Sequence, residues 1–144
     1  MNQDTTYTIQ EVSEATDLPS STLRYYEEMG LLEPIERAAN GHRRYTAFDL
    51  RRVNLIKKLR LTGMSIDTMR DFVALYRGGS STARERREIL EAHRLTVQAR
   101  VDELLETIGF IDYKIGLYQN EEKAHEREQD YEVSVVGPHG AAGL

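Results

Sequence analysis

The stretch that decides the fold runs from Ser20 to Pro34 and reads SSTLRYYEEMGLLEP. Hydroxyl residues begin a short amphipathic helix that stops at Gly30. Residues three or four apart share a helix face, so Leu23 and Tyr26 lie on the inner side. The outer side suits a DNA groove because it carries hydroxyls, a guanidinium group and a phenol: Ser21, Thr22, Arg24, Tyr25 and Glu28. An ordinary surface helix is the alternative interpretation of this stretch taken alone.

The residues before this stretch predict a preceding helix. Thr8 and Glu11 form a capping-box pattern, in which each side chain accepts from the other residue's backbone N–H. The helix should run to about Ala15 and bury Ile9, Val12 and Ala15. A turn at 16–19 then leads into the second helix. Two short helices joined by a tight turn are the helix-turn-helix arrangement.

The residues after Pro34 predict a small two-stranded wing. Asn40-Gly41 is a turn signal because these residues tolerate positive φ at low cost. Segments 33–37 and 42–46 flank it as short strands. A solvated hairpin is one interpretation, but its side chains favour phosphate contact beside a helix-turn-helix: His42, Arg43, Arg44 and Tyr45.

Two more helices should complete this domain. Thr46 and Asp49 predict a capped helix that runs to about Leu61 and ends at Gly63. Its expected apolar face is Phe48, Leu50, Val53, Ile56 and Leu59, with Arg51, Arg52, Lys57, Lys58 and Arg60 elsewhere on the surface. Ser65 caps a fourth helix from Ile66 to about Tyr76. Its expected inward residues are Ile66, Met69, Phe72, Val73 and Tyr76.

The charge distribution favours nucleic acid even though the whole chain has a net charge of −5. Residues 37–60 hold eight Lys or Arg and a single carboxylate, Asp49. Phosphate contact depends on the local field, so a basic patch on an acidic chain is compatible with DNA binding.

A long helix is predicted from Ala83 to about Asn120, with apolar residues in two rows at coiled-coil spacing. Only Arg94 clearly breaks this pattern. The other predicted helices are too short to cover such a stripe, so we expect a second copy as the partner. Packing against its own domain is the alternative. The seam residues are Leu90, Val97, Val101, Leu104, Ile108, Ile111, Ile115 and Tyr118.

The expected organisation is therefore a winged helix-turn-helix domain at 5–77 and a dimerisation helix at 80–120. Residues 121–144 are charged, then rich in Gly and Ala, with one weakly strand-like run at 131–136. We expect them to form a flexible polar tail.

Composition excludes several classes of function. The chain has no Cys, which removes disulfides, thiolate metal sites and thiol nucleophiles. No two of its four His stand at helical ligand spacing, and no Gly-rich phosphate loop is present. We therefore expect no metal site, no cofactor and no catalytic residues. Without a signal peptide or a membrane-spanning apolar run, a soluble cytoplasmic protein is expected.

Residues 7–66 resemble the DNA-binding domain of MerR-type transcriptional regulators. The resemblance rests on an ordered series of motifs covering about 60 residues: YTIQEV from Tyr7, TLRYYE from Thr22, GLLEP from Gly30, Arg37, the G-x-R-x-Y of Gly41, Arg43 and Tyr45, Asp49, and TGMSI from Thr62. The long helix resembles the family's dimerisation helix, which is antiparallel in its members. The run IDYKIGLY from Ile111 resembles the aldehyde- and redox-responsive branch.

The resemblance implies a mainly α fold and a homodimer that binds double-stranded promoter DNA and acts on RNA polymerase. It implies DNA contacts from the recognition helix, the first wing and a second wing around Gly63. Together with the basic residues noted above, the predicted DNA-binding set is Thr22, Arg24, Tyr25, Tyr26, His42, Arg43, Arg44, Tyr45, Lys57, Lys58, Arg60 and Ser65.

The sequence departs from the family at two positions. His42 stands where the family usually has Tyr, and Lys58 aligns with the branch's sensing Cys. Thiol sensing is therefore chemically excluded for this chain. A small-molecule effector remains open, and its predicted pocket is Phe72, Tyr76, Phe110 and Tyr113. The other functions compatible with the sequence are an architectural or excisionase-like DNA binder and a coiled-coil adaptor.

Overall fold

The computed structural model describes residues 5–136 and is mainly α-helical. Its helices are α1 Ile9–Thr16, α2 Ser20–Glu28, α3 Ala47–Leu61, α4 Ile66–Arg77 and α5 Ala83–Val136, with a 3-10 turn at Ser80–Thr82. The chain divides into two compact units, Met1–Val97 and Gln98–Leu144. Across residues 5–136, no helix has both the length and the apolar character needed to cross a membrane.

The predicted helix starts are confirmed by their caps. The Thr8 hydroxyl accepts from the Glu11 N–H at 3.1 Å, and the Glu11 carboxylate accepts from the Thr8 N–H at 3.3 Å. The same reciprocal pair joins Thr46 and Asp49 at the start of α3. Each cap satisfies backbone donors that the first helical turn leaves free.

The predicted wing is present as a hairpin held by isolated bridges. Arg37 pairs with Arg43, and the Ala38 N–H donates to the His42 carbonyl at 2.8 Å. Gly41 has φ of +83°, the left-handed conformation that glycine adopts without strain. The returning strand also pairs with the segment before α1, through reciprocal Tyr7–Tyr45 backbone bonds of 2.7 and 2.8 Å. This third strand was not predicted.

One apolar core holds α1 to α4 and the hairpin in the first unit. Each of these elements contributes at least one residue to this core, so α2 packs through its inner side against the rest of the unit. Its buried members are Val12, Leu23, Tyr26, Leu31, Leu32, Ile35, Tyr45, Val53, Ile56, Leu59, Met64, Met69 and Val73.

Several predicted inward positions were wrong. Ala15 is exposed and Thr16 is buried instead, because the Thr16 hydroxyl donates to the Val12 carbonyl one turn earlier at 2.7 Å. On α3, Phe48 is 36% exposed, whereas Arg52 is only 6% exposed. Arg52 is buried because its guanidinium lies on the Tyr76 ring of α4, 3.9 Å from the ring centroid.

α5 continues to Val136, so its predicted end at Asn120 was wrong, as was the strand-like reading of 131–136. The residues after Asn120 are mostly good helix formers, and the sequence has no Gly or Pro between Gly116 and Gly137. Spacing of i to i+4 also supports the helix, as in the 3.1 Å bond between Gln129 and His125. Residues 137–144 of the predicted tail lie outside the described residues.

The side chains of the predicted seam are solvent-exposed on α5 in the single chain, except Val97, which is half-buried. Leu104 is 60% exposed, Ile108 52% and Ile115 49%. Dimerisation through this stripe stays a prediction, as do the three predicted domain boundaries.

Candidate nucleic-acid interface

The recognition helix α2 presents its polar side outward, as the sequence predicted. Leu23 and Tyr26 are buried, while Arg24 is exposed and Tyr25 is 43% exposed. Thr22 is half-buried at the first turn, where its N–H donates to the Pro19 carbonyl at 2.9 Å. Thr22, Arg24 and Tyr25 are therefore available to base edges or phosphates on one helix.

A groove of about 350 Å³ joins this helix to the hairpin and to the start of α1. Three arginines line this groove beside the N-terminus of α1, and cations next to a helix N-terminus favour a phosphate. The lining residues are Thr8, Ile9, Gln10, Arg24, Arg37, Gly41, His42 and Arg43.

Two of the groove's three arginines make hydrogen bonds within the protein. The Arg43 Nε donates to the Glu27 carboxylate of α2 at 2.7 Å. Arg37 donates to the Gly41 carbonyl across the hairpin at 2.9 Å. These contacts order both side chains before any ligand arrives, which lowers the entropic cost of binding.

Arg44 lies on the other side of the hairpin and holds the N-terminal segment. It donates to the Thr6 hydroxyl at 2.9 Å and to the Thr6 carbonyl at 3.2 Å. His42 is exposed at the hairpin, where its backbone N–H donates to the Asn40 Oδ1 at 3.0 Å. The structure thus brings His42 and Arg43 into the groove and assigns Arg44 to tying the wing together.

Tyr45 lies in the core, which corrects its predicted exposure on the wing, whereas the burial of the Tyr26 ring was predicted by the helix periodicity. Tyr45 is 0% exposed, and its hydroxyl has no hydrogen-bond partner within residues 5–136. Burial raises the pKa of Tyr45, and the nearby Arg43 charge opposes that rise. Tyr26 is 4% exposed and burial also raises its pKa. Neighbouring elements pack over both rings, and the Tyr45 hydroxyl is buried with its ring, so a DNA contact from the Tyr26 hydroxyl alone stays a prediction.

In and near the loop between α3 and α4, the predicted second wing, some predicted side chains are exposed and others bond within the protein. Gly63 has φ of +95°, and Lys58 and Arg60 are exposed beside it. Ser65 caps α4 by accepting from the Thr68 N–H at 3.1 Å. Lys57 donates to the Thr16 carbonyl at the end of α1. Of the predicted set in this region, Lys58 and Arg60 are the exposed cations, and the Arg60 Nη1 donates to the Met64 carbonyl at 3.4 Å.

No site role was predicted from the sequence for Ile9, Gln10 and Arg37, which line the groove, or for Glu27, which bonds to Arg43. Gln10 and Ile9 belong to the groove through the N-terminus of α1, which the capping box located but did not connect to the wing. Arg37 was placed in the basic segment without a site role. Glu27 has no sequence signal, since its importance comes from a partner 16 residues away.

The predicted effector pocket is divided between the two units. Phe72 is buried in the first unit and Tyr76 is 36% exposed there. Phe110 and Tyr113 are 60% and 62% exposed in the second unit. A shared pocket stays a prediction. No group of His, Asp and Glu within residues 5–136 is arranged to hold a metal ion.

Comparison with known proteins shows the family of the chain. Residues 7–75 match the family described as MerR HTH family regulatory protein, and residues 50–112 match the family described as MerR, DNA binding. The chain is 36% identical over 98 residues to the HTH-type transcriptional regulator HmrR of Rhizobium leguminosarum bv. viciae, covering 68% of this chain and 75% of that protein.

Two solved structures show the same fold. A MerR family transcriptional regulator from Listeria monocytogenes superimposes with a TM-score of 0.84 at 35% identity, covering 89% of this chain and 98% of that one. HiNmlR, a MerR family regulator lacking the sensor domain and bound to promoter DNA, superimposes with a TM-score of 0.74 at 31% identity, covering 83% and 94%. This chain is a non-enzymatic DNA-binding transcriptional regulator of the MerR family.

Proposed function

We propose that the protein acts as a homodimer on a pseudo-palindromic promoter operator, with each α2 in a major groove. The observation that carries this proposal is the groove at the N-terminus of α1. There Arg24 of the recognition helix meets Arg37 and Arg43 of the wing. A phosphate held at this point would place the exposed side of α2 against the adjacent bases.

The proposed dimer forms through α5 as an antiparallel coiled coil. Its support is the exposed apolar stripe from Leu90 to Tyr118 on a helix of 54 residues. Exposed apolar side chains in two rows at heptad spacing are costly in water and are normally covered by another helix. Two-fold symmetry of the protein then requires two half-sites related by the same symmetry.

We infer further that binding bends and untwists the spacer between promoter elements, so that RNA polymerase meets both elements on one face. The family resemblance supports this step. Elastic estimates put the cost of such a distortion at about 1–6 kcal/mol. Phosphate contacts from the wing and from Lys58 and Arg60 would offset it, since each releases counterions.

Regulation would follow if an effector favours one of two dimer shapes that differ in affinity for distorted DNA. The resemblance of IDYKIGLY to the aldehyde- and redox-responsive branch motivates the idea. The mechanism here would have to differ, because no thiol exists in the chain. The proposed setting is the cytoplasm, where promoter DNA and polymerase are accessible.

An architectural, excisionase-like role without polymerase regulation is the second candidate, because the same wing and recognition helix would serve it.

A footprint on DNA upstream of the protein's own gene would identify the operator. Insertion of about five base pairs, half a helical turn, between the half-sites should then abolish dimer binding. Insertion of a full turn is the control and should restore part of it. Binding that neither insertion weakens would contradict recognition of two half-sites by a symmetric dimer.

A further inference from the structure

A cluster in the first unit, which shares no residue with the groove of Arg24, Arg37 and Arg43, contains a buried guanidinium nitrogen without a hydrogen-bond partner within residues 5–136. Arg52 of α3 is 6% exposed, and its Nη1 has no hydrogen-bond partner within residues 5–136. A guanidinium group carries five N–H donors, and a buried donor without an acceptor is costly. Such a group in a native protein requires an explanation.

Arg52 has charges of both signs around it, but no carboxylate forms an ion pair with it within residues 5–136. Its guanidinium lies 3.9 Å from the Tyr76 ring centroid and 5.6 Å from that of Phe48. The Arg86 guanidinium of α5 lies 5.1 Å from the same Tyr76 ring. The nearby carboxylate of Glu33 is already bonded to Arg77 at 2.7 Å. No carboxylate within the described part of the chain pairs with Arg51, Arg52 or Arg86.

A cavity of about 150 Å³ lies at this cluster, lined by Phe48, Arg51, Arg52, Leu55 and Tyr76. Three of these five residues are apolar or aromatic, and the other two supply guanidinium groups. Cation–π contacts stabilise a guanidinium only in part, because they leave its in-plane N–H groups without acceptors. Arg51 and Arg52 therefore have no paired carboxylate within the described residues, and ring faces lie beside them.

We propose that this cavity binds a small aromatic carboxylate. The carboxylate would accept from the guanidinium groups, and its ring would lie against Phe48, Leu55 and Tyr76. A single ring fits the volume, which is below the range of pockets for larger ligands. Inorganic phosphate fits less well because it has no apolar body for this lining. A bound ligand would also join α3 to α4, since Arg52 and Tyr76 come from these two helices.

The test is a calorimetric titration of the full chain with benzoate as the probe. Benzamide, which has the same shape without the charge, and inorganic phosphate are the ligand controls. Benzoate should bind with one site per chain, and both controls should bind at least about tenfold more weakly. Equal binding of benzamide and benzoate would contradict the carboxylate assignment.

Protein variants then locate the site. Arg51→Gln removes an exposed cation from the cavity lining and should weaken benzoate binding severalfold without affecting the core. Arg52→Gln should weaken it by about tenfold or more, with circular dichroism confirming the fold. Arg84→Gln, at an exposed arginine paired with Glu88, is the matched control and should leave binding unchanged. Benzoate affinity that is the same in all three variants would overturn the proposal.

The competing occupant is an acidic side chain from a second copy of the chain. In that case benzoate would bind a dilute sample and be displaced as protein concentration rises, and Arg51→Gln would weaken self-association. That result would overturn the free-ligand assignment. Benzoate binding that is independent of protein concentration supports it.

Discussion

The Nε of Arg43 donates to the Oε2 of Glu27 at 2.7 Å, joining the wing hairpin directly to the recognition helix. Both side chains are 21% exposed, so the pair is partly shielded from water. It fixes the angle between the two elements that we propose contact DNA. Because Arg43 also lines the groove, a phosphate arriving there would meet a cation that is already oriented.

This pair should show measurable coupling in a double-mutant cycle. Arg43→Ala and Glu27→Ala, alone and together, should give a coupling free energy of unfolding of about 0.5–1 kcal/mol in urea. The control is the more exposed pair of Arg84 and Glu88, spaced i to i+4, where about 0.3–0.5 kcal/mol is expected. Strict additivity at Arg43 and Glu27 would show that the contact does not hold the wing.

Arg43 and Arg24 should affect DNA binding in different ways. Arg43→Ala should weaken binding to all sequences and flatten the plot of log affinity against log salt by about 0.9 per lost phosphate contact. Arg24→Ala should reduce the preference for operator over random DNA by about 1–3 kcal/mol if it reads a base. Gel shifts across a salt series measure both quantities. If the slope of log affinity against log salt is unchanged in Arg43→Ala, Arg43 does not contact a phosphate.

Tyr45→Phe separates a core role from a DNA-binding role. The hydroxyl is buried without a partner within the described residues, so its removal should leave stability unchanged or raise it by about 1 kcal/mol. Operator affinity should not change. A severalfold loss of operator affinity with the fold intact would show that the Tyr45 hydroxyl contributes to DNA binding.

The same variant should change the response to alkaline pH. Burial raises the folded-state pKa of Tyr45 above its usual value of 10.0. The folded state therefore keeps this proton more strongly than the unfolded state, and stability should fall as pH rises through and above 10. Tyr45→Phe removes this contribution, so its stability should decline less than wild type over that range. Parallel pH curves from urea unfolding would contradict the assignment.

The sequence predicted those features that local chemistry determines. The capping boxes at Thr8 and Thr46 use residues three apart, so their patterns located α1 and α3 without knowledge of the fold. The turn at Asn40 and Gly41 was equally local. The end of α5 was missed because charge was taken to indicate a tail, whereas Glu, Lys, Arg and Gln also favour helix.

Features set by distant residues were not predictable. Arg52 is buried because Tyr76 on another helix covers it, and nothing within α3 indicates that contact. Tyr45 was placed at the interface because it follows the basic residues of the wing and because the family resemblance implies contacts from that wing. Its pairing with Tyr7, which buries it beside α1, links residues 38 apart in sequence. The site's exposed part on α2 was predicted correctly because helix periodicity alone separates Arg24 from Leu23.

Two adjacent leucines offer a matched test of the coiled coil. Leu104 and Leu105 are both 60% exposed, but only Leu104 lies in the predicted seam. Leu104→Glu should dissociate the dimer or weaken it by at least about tenfold, because it places a charge between two apolar rows. Leu105→Glu should change it little. Sedimentation equilibrium showing the same association for both variants would contradict the seam.

Transcription in vitro from two promoters that differ only in spacer length tests the proposed regulation most directly. One has the spacing that polymerase uses unaided, and the other is lengthened so that its two elements lie on different faces of the DNA. We predict that the protein raises transcription from the lengthened promoter and that Arg24→Ala does not. Binding at the operator with no change in transcription from the lengthened promoter would contradict activation by spacer distortion and would favour the architectural role.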